Sequence, residues 1–406
     1  MATRQYIGAR YVPKFYQNSV DGSASWESNV VYEPLTYVTL TNGHMYISKK
    51  QVPATIGTPA SNADYWLDVG NYNGFIEELQ NQIDAINNTT IPAIEDKIDN
   101  ICSVKMFGAI GDGVTDDTQA FINALNAYDV IIVPNGNYKL SSSLSSIQRK
   151  TILGFNAKFI LSHEIIFTDC TISGIYFDLT RNISATGKTK FELCTFDATN
   201  FTTTQSGMLI AIANGNGDYT FNKCVFNGHS KPNFGIWADD STNSGGSLYV
   251  TECKFTEMWL NAIFASITKI VIEGCTFWHN HQQSTPTGGG EIDLTKTAGE
   301  SPMARIVNNV FLAPNGNNTC HVETEGEVFL VIENNYFNSW GVAAASVVLQ
   351  QLAKGNLIGN YFVGDAGMTA VATFNGSTLV ALGNYFVGFG TKYSDNTAVI
   401  SAQDLN

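Results

Sequence analysis

Nine short blocks of one pattern run down the last two-thirds of the chain, each setting a Cys or an Asn two residues before a large apolar residue. They begin at Cys170, Cys194, Cys224, Cys253, Cys275, Asn309, Asn335, Asn360 and Asn384, in steps of 24, 30, 29, 22, 34, 26, 25 and 24 residues. A period of this length, irregular by a few residues, marks a solenoid whose repeats are single supersecondary turns with loops of varying length on one side. Each block alternates apolar and polar residues and has Gly, Asn or Asp close by, so the repeat reads as one coil of a parallel β-helix. No repeat holds a ten-residue stretch of 3.6 periodicity, which excludes helical repeats.

The same register accounts for the cysteines. Five of the seven fall in one expected column, replaced further along by asparagine, as inward positions stacked about 4.8 Å apart would be. A thiol there is a small apolar group, and an asparagine amide bonds to the coils above and below. Tetrahedral zinc needs four ligands around a point, which a straight column does not supply. Seven is also an odd number for disulfides.

The chain has 406 residues, 44% apolar content and only 14% charged residues, which suits one long solenoid with a small additional domain. Its formal charge of −14 argues against nucleic acid and other polyanions as partners, and leaves neutral or cationic glycans open. Met1–Arg10 carries no apolar signal core, and no run of eighteen apolar residues occurs, so neither a secretory leader nor membrane insertion is expected.

Three segments follow one another. Residues 1–73 hold Trp26, Tyr32, Tyr46 and Trp66 among turn signals and short alternating strands. In order and spacing these resemble the small chitin- and cellulose-binding modules of secreted glycosidases, which would make Trp26, Tyr46 and Trp66 sugar-stacking residues. The other reading is that they form the core of a tiny domain, of the kind that attaches phage proteins to the particle. Residues 74–101 turn helical, with Ile76, Leu79, Ile83 and Ile86, then Ile94, Ile98 and Ile101, at heptad spacing. Pro92 divides them, and isoleucine at both seam positions shifts preference from dimers toward trimers and tetramers, a homotrimer being the expectation and an ordinary amphipathic helix packed under the first coils the alternative.

Residues 102–406 form the solenoid. Its opening, Val104–Leu125 with Gly108, Gly111, Asp112, Gly113, Thr115, Asp116 and Asp117, followed by Val130–Tyr138, resembles the start of the pectate-lyase-like right-handed β-helices found in phage tailspikes, polygalacturonase relatives and the appendages of short-tailed phages. The physics agrees: Thr115 is placed to cap a helix near 116–127, Asp116 and Asp117 suit its first turn, and Phe121, Ala124, Leu125 and Tyr128 give it one apolar face to plug the solenoid. The resemblance implies an all-β fold, a right-handed single-stranded parallel β-helix on a virion tail or appendage. A large C-terminal receptor or chaperone domain of the kind common in such spikes is not visible after the last block.

A second strand family follows each block. Aligning Ile236, Ile263, Ile292 and Val322, spaced 27, 29 and 30 apart, on the inward side makes their neighbours point out. The outward columns are then Ala262, Glu291 and His321; Trp237, Phe264, Asp293 and Glu323; and Asp239, Ser266, Thr295 and Glu325. Aromatics at one end and carboxylates at the other is the composition of a polysaccharide groove. Carboxylates at 293 and 323, about 4.8 Å apart at an effective dielectric near 20, would repel by roughly 3.5 kcal/mol, so one keeps a proton, a cation bridges them, or they splay apart. Glu291 and Asp293 should present carboxyls about 7 Å apart, the separation of inverting hydrolysis. Asp239 is a further catalytic candidate, His321 would orient Glu291, and Glu325 would contact substrate. No arginine stands in the strip, Arg305 being nearest, which disfavours a calcium-dependent lyase; polygalacturonase-like paired aspartates are lacking apart from Asp239–Asp240.

The expected protein is therefore a spike or appendage subunit on the virion, anchored to tail or neck proteins by residues 1–73, binding host cell-surface polysaccharide without a cofactor or metal. The depolymerase, the binding-only adhesin and the secreted polysaccharide-degrading enzyme are the alternatives carried forward.

Overall fold

The computed structural model describes residues 13–17, 23–90, 101–142, 144, 146–202, 207–213, 216–239, 245–280, 290–296, 301–312, 320–339, 345–395 and 402–405. The chain divides into two compact units, Met1–Ile98 and Asp99–Asn406.

In the first unit, Lys14–Phe15, Thr36–Thr39, His44–Ser48 and Trp66–Asn71 form a four-stranded sheet, parallel in its first pair and antiparallel thereafter. Its core is Tyr32, Val38, Tyr46, Val52 and Trp66, with Trp26 packed against it. Helix α1 (Tyr72–Ala85) follows, leaving Leu79, Ile83 and Ile86 exposed on this chain. Pro92, Ile94 and Ile98 lie outside the described residues. Ile101 does not continue a helix: it opens a strand, Ile101–Ser103, paired with Val130–Ile132.

In the second unit every strand pairing is parallel, and neighbouring strands are one coil apart, which makes it a parallel β-helix. Helix α2 (Thr118–Ala127) buries Phe121 and Ala124, with Phe121 edge-on to Tyr138 and Phe159 at 5.5 and 5.1 Å. Its start corrects the cap assignment. Thr115 bonds to Asp112, while Asp116 accepts from the Thr118 amide at 3.0 Å and Asp117 from the Ile110 and Gly111 amides at 2.6 and 3.1 Å. These aspartates hold the loop together, and their oxygens are occupied by that task.

The ladder is present with one substitution. Cys194, Cys224, Cys253, Cys275, Asn309, Asn335, Asn360 and Asn384 are all buried, and each is preceded by a residue with φ between 51° and 66°, from Leu193 to Gly383. That left-handed residue makes the corner and aims the next side chain inward; Gly, with no Cβ, or Asn fills it at five of the eight corners. From Cys275 onward each amide N–H is received by the side-chain oxygen one coil on, at 2.8 Å to Asn309 and Asn335 and 3.0 Å to Asn360 and Asn384. Upstream, sulfur takes over: Cys224 N–H donates to Cys253 Sγ at 3.3 Å.

Cys170 is not in this column. Ala157 pairs with Ile175 and Tyr176 with Thr195, so Ala157 and Ile175 stand above Cys194, whereas Cys170 lies beside Thr189. The motif is Ile175-Tyr-Phe177, and Phe177 stacks on Phe196 at 5.2 Å. From Phe226 to Phe386 the rings stack continuously at 4.4–5.2 Å. All seven cysteines are buried; burial pushes the Cys253 thiol up, which keeps it protonated.

Candidate functional site

The second strand family belongs to an eleven-stranded parallel sheet running from Ile147–Gln148 to Thr391–Asp395. Five of its strands carry the site: β1 (Phe234–Asp239), β2 (Ile263–Ala265), β3 (Gly290–Thr295), β4 (Cys320–Glu325) and β5 (Ala345–Leu349). Ile236, Ile263, Ile292 and Val322 pair in sequence and are fully buried. The adjacent column runs Trp237, Phe264, Asp293, Glu323 and Val348, in the expected register.

Trp237 and Phe264 stack at 4.1 Å with 10° between their planes, and Phe234 meets Trp237 edge-on at 4.6 Å. One coil further, Asp293 is half-buried, and its Oδ1 is enclosed without a hydrogen-bond partner among the described residues. Burial pushes its carboxyl up to about 8, with the charges of Glu323 and Glu325 adding to the rise. Of the three courses open to facing carboxylates, that rise favours the first, in which one of the pair keeps a proton. Glu323 is 5% exposed; the Gln350 side-chain amide donates to its Oε1, and Cys320 Sγ lies 3.9 Å from Oε2.

Glu291 and His321 depart from expectation. Both are 0% exposed: they point into the solenoid, as Ala262 does. His321 Nδ1 lies 2.8 Å from Glu291 Oε2, its Nε2 faces the Asn338 carbonyl at 3.1 Å, and its ring packs near Phe311 and Phe337. Asn280 donates to Glu291 Oε1 at 3.4 Å. The His321–Glu291 contact lies inside the core, so the pairing of Glu291 with Asp293 across the surface is not formed.

In the third column Asp239 accepts from the Ser266 hydroxyl at 3.0 Å, and Thr295 pairs with the exposed Glu325. Coil spacing separates Asp239 from Asp293. Asp240 lies outside the described residues. In the N-terminal unit Tyr46 and Trp66 are 7% and 2% exposed and belong to the core, whereas Trp26 is half-buried and packed against it.

Sequence reasoning missed Gln350, whose role depends on a neighbour 27 residues away, and a second polar cluster on a different face. There Asp178 binds Lys158 at 2.8 Å, and Asp197, though burial opposes its charge, is held down at about 2 by Thr199, His229 and Tyr176. A depression of about 390 Å³ beside it is lined by Asn135, Asn156, Lys158 and Tyr176 among others. The xYF pattern around Tyr176 was the available signal.

Residues 101–163 match the family model described as rhamnogalacturonase A/epimerase, pectate lyase-like. A 52-residue stretch is 40% identical to the pre-neck appendage protein of Bacillus phage B103, spanning 13% of this chain and 6% of that protein. The chain is similar to phage tailspike and appendage proteins of the pectate-lyase-like β-helix type. Among solved structures, ORF18 of Geobacillus virus E2 is 13% identical at a TM-score of 0.42, over 92% of this chain and 71% of that one. Tailspike protein 3 of bacteriophage CBA120 is 13% identical at a TM-score of 0.38, over 94% and 76%.

Proposed function

We propose that this protein is a phage tail or appendage subunit that binds a host cell-surface polysaccharide along the Trp237–Phe264–Asp293–Glu323 column and hydrolyses it there. The observation that carries the reading is the column itself, in which a stacked aromatic pair leads into a carboxylic acid that stays neutral up to about pH 8 and then into a second carboxylate. Asp293 gives its proton to the glycosidic oxygen as the C–O bond breaks, and Glu323 attacks or stabilises the anomeric carbon. Water, losing a proton to the Asp293 carboxylate, then completes hydrolysis. Facing residues on strands about 4.8 Å apart suit the roughly 5–5.5 Å carboxyl separation of retaining enzymes, so retention of configuration replaces the inversion expected from Glu291.

The exposed Leu79 and Ile83 of α1, with Ile86 just past it, support a trimeric neck, and residues 1–73 serve as the virion attachment. No cofactor, nucleic acid or membrane enters this reading. A second reading, a glycan-binding adhesin without chemistry, is favoured by the near-complete burial of Glu323. Incubation with host polysaccharide separates them: new reducing ends, lost in Asp293→Asn and Glu323→Gln while binding persists, support hydrolysis. Intact binding with no product leaves the adhesin.

A further inference from the structure

Building on the acid-and-carboxylate reading of the column, we propose that Gln350 is a positioning residue that decides which member of the Asp293–Glu323 pair holds the proton. Gln350 stands just past β5, one coil beyond Glu323. Its backbone N–H donates to Thr324 Oγ1 at 3.1 Å, which anchors it against β4, and its side-chain Nε2 donates to Glu323 Oε1. With its NH2 group placed on Oε1, the amide makes a contact that the ionised carboxylate accepts. Cys320 adds a weaker donor at Oε2, 3.9 Å away. Donors on both oxygens favour the charged form of Glu323.

Asp293 has the opposite surroundings. Among the described residues the charged groups facing it are Glu323 and Glu325, both on β4, and the coil before it presents Phe264. Its enclosed Oδ1 receives no donor among the described residues. Two facing carboxylates share one proton, and it settles on the member whose enclosed oxygen has no donor among the described residues. Asp293 is thus made the acid partly from two coils away, through the charge that Gln350 holds on Glu323.

The test is a carboxyl titration of the full chain by NMR, with 13C at aspartate Cγ and glutamate Cδ and assignments from Asp293→Asn and Glu323→Gln. In the native protein Asp293 should titrate in one alkaline step and Glu323 in one acid step. Gln350→Met, of similar volume but without a donor, should raise the Glu323 midpoint by about one pH unit and give Asp293 a second, acid step, as the proton divides between the two sites. Gln350→Ala provides the same test with the side chain removed. In the Glu323→Gln background, the Gln350 substitutions should leave Asp293 unmoved, because their effect passes through the Glu323 charge. Titrations unchanged by the Gln350 substitutions, or an Asp293 shift of equal size with and without Glu323, would overturn the proposal. Glycan hydrolysis is no part of this readout: expected titrations without hydrolytic product would sink the enzymatic reading and leave the proton assignment standing.

Discussion

Truncating Asn360 to alanine tests the ladder most directly, because its side chain serves three coils at once. Its Oδ1 accepts from the Asn335 backbone N–H and Asn335 Nδ2, both at 3.0 Å, and its Nδ2 donates to the Ile332 carbonyl at 2.9 Å and to Asn384 Oδ1 at 3.0 Å. Asn360 is fully buried, so water does not replace these bonds. Alanine leaves the Asn335 N–H and the Ile332 carbonyl without their side-chain partner, at roughly 1–3 kcal/mol each. The two neighbouring side chains each keep another ladder contact, so the expected loss is about 2–6 kcal/mol. Cysteine at the same place should cost less, since Cys253 Sγ already accepts from Cys224 N–H at 3.3 Å and donates to the Phe221 carbonyl at 3.5 Å. Urea unfolding followed by circular dichroism measures both variants. A loss below about 1 kcal/mol for Asn360→Ala, or equal losses for Ala and Cys, would show that the column is held by packing alone and refute the hydrogen-bonded ladder.

Three further outcomes are expected. His321→Ala strips the buried Glu291 carboxylate of its 2.8 Å partner and should cost about 3–5 kcal/mol, whereas Glu291→Gln with His321→Gln should recover much of that in the same urea assay. Asp293 has a folded-state pKa raised to about 8 against an ordinary 3.8, so the unfolded chain gives up its proton first as pH rises, and native stability falls across that window at up to roughly 1.4 kcal/mol per pH unit. Asp293→Asn should therefore match the native protein near pH 4 and exceed it in melting temperature by a margin that grows toward pH 8; a constant margin would contradict the raised pKa. Gly359 has φ of 63°, and a Cβ there would stand 2.6 Å from Asn334 Oδ1, so Gly359→Ala should lower stability by about 1–2 kcal/mol, read from the urea midpoint.

Much of this protein was legible in the chain because solenoid coils repeat a local rule. A corner residue, an inward Cys or Asn and an inward Phe recur at each turn, and parallel pairing then forces equivalent residues into columns, which is why Trp237, Phe264, Asp293 and Glu323 aligned from spacing alone. The same reasoning failed at Glu291 and His321, which alternation placed outward but which are fully buried, Glu291 against Asn280 and His321. It failed again at Cys170, whose 24-residue step to Cys194 matched the period while the strand pairing chose Ile175.

By itself, then, the sequence determined the β-helix, its inner column and the outward line of aromatics and acids, since each follows from local geometry repeated at coil spacing. Only the tertiary structure decided which of those acids stand on the outside and which lie in the core, and what each of them touches. Those properties depend on burial and on donors such as Gln350, and neither burial nor a contact across 27 residues is written in any short stretch of chain.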